Sequence, residues 1–231
     1  MPYLYIDPWY IILVVPAMLL AFWAQINVNT TFSRYSKVLA PSGMTGAESA
    51  RRVLEANGVT GVRIERISGN LTDHFDPKTN TIRLSESVYD ATTVSAVGVA
   101  AHEAGHAVQY AVGYAPMQLR AAIIPATNIG SQLAMPLVLL GLIFSSAMLV
   151  DIGIIAFSMS TLFQLVTLPV EFNASRRAVA TLESSCVSDT EVNGAKAVLR
   201  AAALTYVAAL AVSLASLLRI ILLFGNRNRR D

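Results

Sequence analysis

The chain contains a single cysteine, Cys186, and that scarcity excludes both an internal disulfide and a cysteine-rich metal site. Any bound metal must therefore rely on histidine and carboxylate. Histidine is nearly as scarce, since His74, His102 and His106 are the only three. Charge is low as well: 14% of the residues are charged against 54% hydrophobic, and the mean hydropathy of +0.53 is too high for an ordinary soluble domain. A protein embedded in a lipid bilayer is the first expectation. The net charge of +2 is small, and no basic stripe is interleaved with aromatics, so nothing in the pattern suggests nucleic-acid binding.

Charge is missing in long stretches. Residues 8–26 carry none, and at 1.5 Å per residue they are long enough to cross a hydrocarbon core of about 30 Å. Trp9, Tyr10 and Trp23 stand where interfacial aromatics are expected. Asp7 replaces the basic flank of a signal peptide, so residues 1–26 read as a retained first membrane helix. Between Arg120 and Arg176 there is no lysine or arginine, and Asp151 and Glu171 are the only acids. Residues 121–170 therefore read as a two-helix hairpin, 133–149 and 152–170, with Asp151 at its turn. A last apolar run, 201–224, gives a fourth crossing within residues 198–231, which end in a basic tail holding Arg227, Arg229 and Arg230.

Residues 27–120 are more polar and carry the punctuation of a folded, water-facing domain. Thr45-Gly-Ala-Glu48 fits a capping box opening a helix over 45–57, with Gly58 at its stop. Residues 62–67 and 81–84 alternate as short antiparallel strands around the turn-like Asp76-Pro77-Lys78-Thr79-Asn80. The 81–84 strand could offer an edge to an extended peptide. Asp90 is expected to cap a long helix running through His102 and His106 to a stop near Gly113. Ser188-Asp-Thr-Glu191 is a second possible capping box.

Four crossings return residues 27–120 and 171–197 to one side of the membrane, as parts of one site must be. Arg34, Lys37, Arg120, Arg176, Arg177 and Lys196 lie on that side, against three arginines in the tail. The basic excess places that side in the cytoplasm of a multi-pass plasma-membrane protein.

The motif that carries chemistry is His102-Glu103-Ala104-Gly105-His106. On a helix it sets two imidazoles one turn apart on one face, ready to bind one tetrahedral zinc. Glu103 stands about 100° round from His102, outside the ligand set but beside a zinc-activated water, where it acts as general base. Peptide-bond hydrolysis is the reaction this arrangement suits. A metzincin is excluded, because Gln109 and Val112 occupy the positions where its longer motif needs Gly and His. A third protein ligand is needed, and Asp151 and Glu171 are the nearest carboxylates beyond the motif. Glu171 follows an apolar run, where a carboxylate needs a metal or a cation such as Arg176 or Arg177. His74 has two readings: an oxyanion-stabilising or substrate-holding group, or a turn histidine bonded to Asp73 or Asp76.

Three segments, Leu71-Thr-Asp-His-Phe-Asp-Pro77, Ala100-Ala-His-Glu-Ala-Gly-His-Ala-Val-Gln109 and Pro169-Val-Glu-Phe-Asn-Ala-Ser175, resemble in this order the YugP-type neutral zinc metallopeptidases of bacterial membranes. That resemblance implies one zinc ion per chain and Glu171 as the third ligand. Glu-Phe-Asn-Ala-Ser is also similar to the Glu-x-x-Ala-Asp motif of HtpX-type membrane gluzincins, with Ser175 where those relatives place an Asp that orients a metal histidine. It implies a peptide or protein substrate associated with the membrane, in a role such as membrane-protein quality control.

The expected architecture is thus mainly α with a small β-sheet (α+β): a four-helix integral membrane protein carrying a zincin-like cytoplasmic catalytic domain. Two rivals compete with it. A site-2-type intramembrane protease would use Asp151, because Leu149-Val-Asp151-Ile-Gly resembles its Leu-Asp-Gly element. A non-enzymatic zinc transporter or scaffold would need polar ligands in the crossings, or would leave Glu103 without a task.

Overall fold

The computed structural model describes residues 7–185 and 187–224. Cys186 and the basic tail with Arg227, Arg229 and Arg230 lie outside the described residues. The chain is mainly helical with one three-stranded sheet, in the order α1 (Val15–Tyr35, preceded by a π-helical turn Tyr10–Val14), α2 (Gly46–Ala56), β1 (Arg63–Ile67), β2 (His74–Asp76), β3 (Thr81–Ser85), α3 (Glu86–Tyr89), α4 (Val94–Ala111), α5 (Ala115–Ile143), α6 (Ala147–Ser184) and α7 (Asp189–Phe224). Among the described residues four helices are long and apolar enough to cross a membrane: Tyr10–Tyr35, α5, α6 and α7. The chain divides into two compact units, the described parts of Met1–Ala24, Leu119–Leu168 and Thr205–Asp231, and a second made of Gln25–Gln118 and Pro169–Leu204.

In the first unit the α5–α6 connection lies at Phe144–Ser146, where Ser145 adopts a φ of +52° and the Ser146 N–H donates to the Gly141 carbonyl at 2.8 Å. This corrects the expected turn at Asp151, which is exposed within α6. Two serines able to satisfy turn backbone beat one acid as the punctuation. Small residues let the two helices approach, as a Cβ on Gly153 would stand 3.0 Å from the Ala134 carbonyl oxygen.

The second unit is built around α4. Thr45 caps α2 with the full capping box, each partner of the Thr45–Glu48 pair bonding the other's backbone N–H. One face of α2 buries Ala50, Val53 and Leu54 in a core that also takes Ile82 and Leu84 from β3, Val97, Ala101 and Val108 from α4, Leu182 from α6 and Leu199 from α7. Burial of the valine, leucine and isoleucine side chains among these contributes about 1.5–3 kcal/mol each. The helix α4 is buried over most of its surface, which explains why it carries alanine, glycine and valine around its two histidines.

The sheet corrects two expectations. Its order is β1-β3-β2, with β1 parallel to β3 (Ile64 opposite Ile82) and β2 antiparallel to β3 (Phe75 opposite Ile82). The strand expected to offer an edge, β3, is therefore central, and β1 and β2 are the edges. Alternation fixes which side chains face the core but not which strand lies next to which, and three residues, His74 to Asp76, are too few to reveal a strand by period. Asp76 pins the β2–β3 turn by accepting from the Lys78 N–H at 2.9 Å, the Thr79 hydroxyl at 2.7 Å and Arg83 at 2.9 Å. Arg83 first, then Thr79 and the Lys78 N–H, hold the Asp76 carboxyl well below the usual carboxylate range.

Two caps also differ from expectation. The side chain of Thr93, not Asp90, accepts from the Ala96 N–H at the start of α4, and Asp90 ends α3 and pairs with Arg66 at 2.8 Å. Ser188 does accept from the Glu191 N–H at 3.3 Å, but the fully buried Glu191 carboxylate accepts from the Ser42 N–H and hydroxyl at 3.1 and 2.8 Å. The reciprocal half of that box is spent on tying α7 to the loop before α2.

Candidate metal centre

The histidines His102 and His106 sit four residues apart on α4, with their rings edge to face and centroids 4.7 Å apart. Opposite them runs α6, which passes without interruption through Glu171 to Ser184. Glu171 is therefore not at a helix end, as its position after an apolar run suggested, but on the inner face of a long helix, 2% exposed. Close approach of α4 and α6 is what brings it within reach. A Cβ on Gly105 would lie 2.5 Å from the Ala174 carbonyl oxygen, so only glycine fits between the two histidines at this crossing.

The Glu171 Oε2 stands 3.2 Å from His102 Nε2 and 3.5 Å from His106 Nε2. The three ligand atoms all lie within 4.8 Å of one another. Donors bound about 2.0–2.2 Å from a tetrahedral centre are separated by about 3.3–3.5 Å, so two of these spacings match those of a zinc site. Two neutral imidazoles and a carboxylate are also the donor set zinc takes when one position is left for water or substrate. Asp151 does not belong to this group.

Burial works against the charged form of His106, but its contact with Glu171, the charges of Glu103 and Glu171 and its bond to Gln109 outweigh that and raise its pKa above the ordinary imidazole value. Glu103 is half-buried on α4 and stands outside the ligand group.

The two histidines are held from behind by different partners. His102 Nδ1 is 3.1 Å from Ser175 Oγ, one turn of α6 beyond Glu171. His106 Nδ1 is 3.0 Å from Oε1 of Gln109, which is completely buried. Gln109 was missed as a site residue, although an amide three residues after His106 in an otherwise apolar stretch was the signal that could have found it. His74 lies exposed at the start of β2 and donates through Nδ1 to the Thr72 carbonyl at 2.8 Å. It is not among the gathered ligands, and neither acid named as its turn partner is the one it bonds. Asp73 instead accepts from the Ser85 N–H at 2.7 Å, and Asp76 serves the turn.

A family model described as "Putative neutral zinc metallopeptidase" matches residues 10–225. The chain is 49% identical over 218 residues to the "Putative membrane protease YugP" of Bacillus subtilis (strain 168), an alignment covering 94% of this chain and 97% of that protein. No solved structure matches the chain.

Proposed function

The chain belongs to the neutral zinc metallopeptidase family, and on that premise we propose that it is a membrane-embedded endopeptidase of the gluzincin kind, with one zinc held by His102, His106 and Glu171. The observation that carries the reading is the convergence of three ligand atoms from helices α4 and α6, 69 and 65 residues apart in sequence, to within 4.8 Å. Zinc, when bound, supplies a Lewis acid that polarises the scissile carbonyl and acidifies water to a pKa of about 7. Glu103 removes the proton from the attacking water as the new C–O bond forms, and delivers it to the amide nitrogen as the C–N bond breaks. The second proton of the water also ends on the leaving nitrogen, so the products are a carboxylate and an ammonium group. Ser175 orients His102 through its Nδ1. The His74 imidazole, exposed on an edge strand, is a candidate to touch the substrate or the developing oxyanion.

Purified protein is expected to carry one zinc per chain and to cleave casein or an unstructured peptide, with chelation abolishing and zinc restoring the cleavage. Zinc bound without any cleavage would favour a scaffold.

Residues 27–120 and 171–197 form the zincin-like catalytic part in this reading, and it faces the cytoplasm because the juxtamembrane basic residues collect there. In a Cys186→Ser background, a cysteine placed at Asn80 should be shielded from impermeant thiol reagents in intact cells, and a reporter fused after Asp231 should lie outside. Labelling at position 80 in intact cells would reverse the orientation. The peptidase assignment would stand.

A further inference from the structure

We propose that Arg177, Asn173 and Gln109 form a hydrogen-bonded relay that fixes the orientation of one buried amide and thereby sets which nitrogen of His106 faces the metal. The proposal rests on the reading of His106 as a zinc ligand, and it assigns positioning roles to three residues that the ligand set does not include.

Donor and acceptor chemistry fixes every link. The Arg177 guanidinium can only donate, so the Asn173 atom 2.9 Å from its Nε must be the amide oxygen, Oδ1. That oxygen can accept but not donate, so the Gln109 atom 3.0 Å away must be the nitrogen, Nε2. The Val170 carbonyl, 2.8 Å from the same atom, independently demands a donor there. With its nitrogen committed twice on α6, Gln109 can present only its oxygen to His106 Nδ1 at 3.0 Å. Nδ1 then carries the proton. The lone pair of a neutral His106 is left on Nε2, the nitrogen directed at Glu171 Oε2.

The two histidines are consequently held unequally. Ser175 Oγ, the partner of His102 Nδ1, is a hydroxyl that can donate or accept, so it steadies the ring without choosing a tautomer. Gln109 does choose. A fully buried amide turned the other way would set its own oxygen against the Val170 carbonyl and Asn173 Oδ1, so the wrong orientation replaces two hydrogen bonds with two oxygen–oxygen repulsions. Because Asn173 and Arg177 lie on α6 beyond Glu171, the relay ties the histidine of one helix to the helix that supplies the carboxylate.

The test compares zinc affinity by chelator competition and the visible spectrum of the cobalt-substituted protein. Gln109→Met keeps the shape but cannot accept from Nδ1 or donate to α6, and is expected to weaken zinc about ten- to a hundredfold and to shift the cobalt bands. Asn173→Asp retains an oxygen that accepts from both neighbours and should stay within about twofold of wild type, whereas Asn173→Leu should lose several-fold. Ser175→Ala should lose less than Gln109→Met. Wild-type affinity and spectrum in Gln109→Met would overturn the relay. Should that variant not fold, the half-buried Asn173 decides, and equal affinities in its Asp and Leu variants would overturn the relay. A wild type that binds no zinc would instead overturn the metal site itself, and the relay's task with it.

Discussion

Glu103→Gln is expected to lower the rate of peptide hydrolysis by about a thousandfold while leaving one zinc per chain and the fold intact. A factor of that size corresponds to about 4 kcal/mol of transition-state stabilisation. The reasoning starts from the helix. Glu103 follows His102 by one residue, so its side chain leaves α4 about 100° away from the imidazole and stands beside the metal group instead of within it. It is half-buried, open enough to meet a water and close enough for its charge to act on His106. The amide of glutamine keeps the size and the hydrogen-bonding reach but cannot take up a proton at neutral pH. The loss should therefore fall on kcat with KM little changed, since the proton transfer belongs to the transition state. Cleavage at the wild-type rate in this variant would remove Glu103 from the mechanism. Loss of zinc together with activity would mean that it acts as a ligand.

What the sequence reveals about this molecule follows the range of the interaction concerned. The capping box of Thr45 and Glu48 and the pairing of His102 with His106 are legible because both act within one helical turn. The strand order is not, since it places β1 beside β3 across a loop that contains β2, and the crossover is made by Gly69 and Leu71 at positive φ. Polar residues near a helix start mislead when two candidates compete. Asp90 was claimed by α3 and Arg66, leaving Thr93 to open α4. Glu191 shows the same limit, as its carboxylate finds a partner 149 residues away in Ser42. Gln109 carried a legible signal, a lone amide on a buried apolar helix, but its partners on α6 become visible only when the two helices are brought together.

The close approach of α4 and α6 also gives a physical reason for the residues between and around the ligands. Gly105 admits the Ala174 backbone, and Ala101, Ala104 and Ala178 fill the remaining core with the smallest side chains available. Larger residues would hold the helices apart by more than the tolerance of a metal site, in which donor positions matter to about 0.2 Å. The same small residues leave Glu171 and Ser175 as the α6 side chains that reach the histidines directly, while Asn173 reaches His106 through Gln109 of α4.

Glu171→Gln should then weaken zinc by more than about a hundredfold, because a charged ligand becomes a neutral amide at the one position that faces both histidines. The substitution is nearly isosteric, and an amide oxygen can still accept from an imidazole N–H, so the metal-free fold should persist and the change should appear in metal content rather than in unfolding. Asp151→Asn is the matched control. It removes the other carboxylate of the same uncharged-by-lysine-or-arginine stretch, at an exposed position in α6 near the α5–α6 turn, and is expected to leave zinc content and cleavage near wild type. A site-2-type enzyme requires the reverse, with Asp151 as ligand and Glu171 serving only the packing of α6. Zinc stoichiometry in the two purified variants separates these cases in one measurement. Metal loss confined to Asp151→Asn would dismantle the three-ligand site and everything derived from it, whereas metal loss confined to Glu171→Gln leaves His102, His106 and Glu171 as the zinc site.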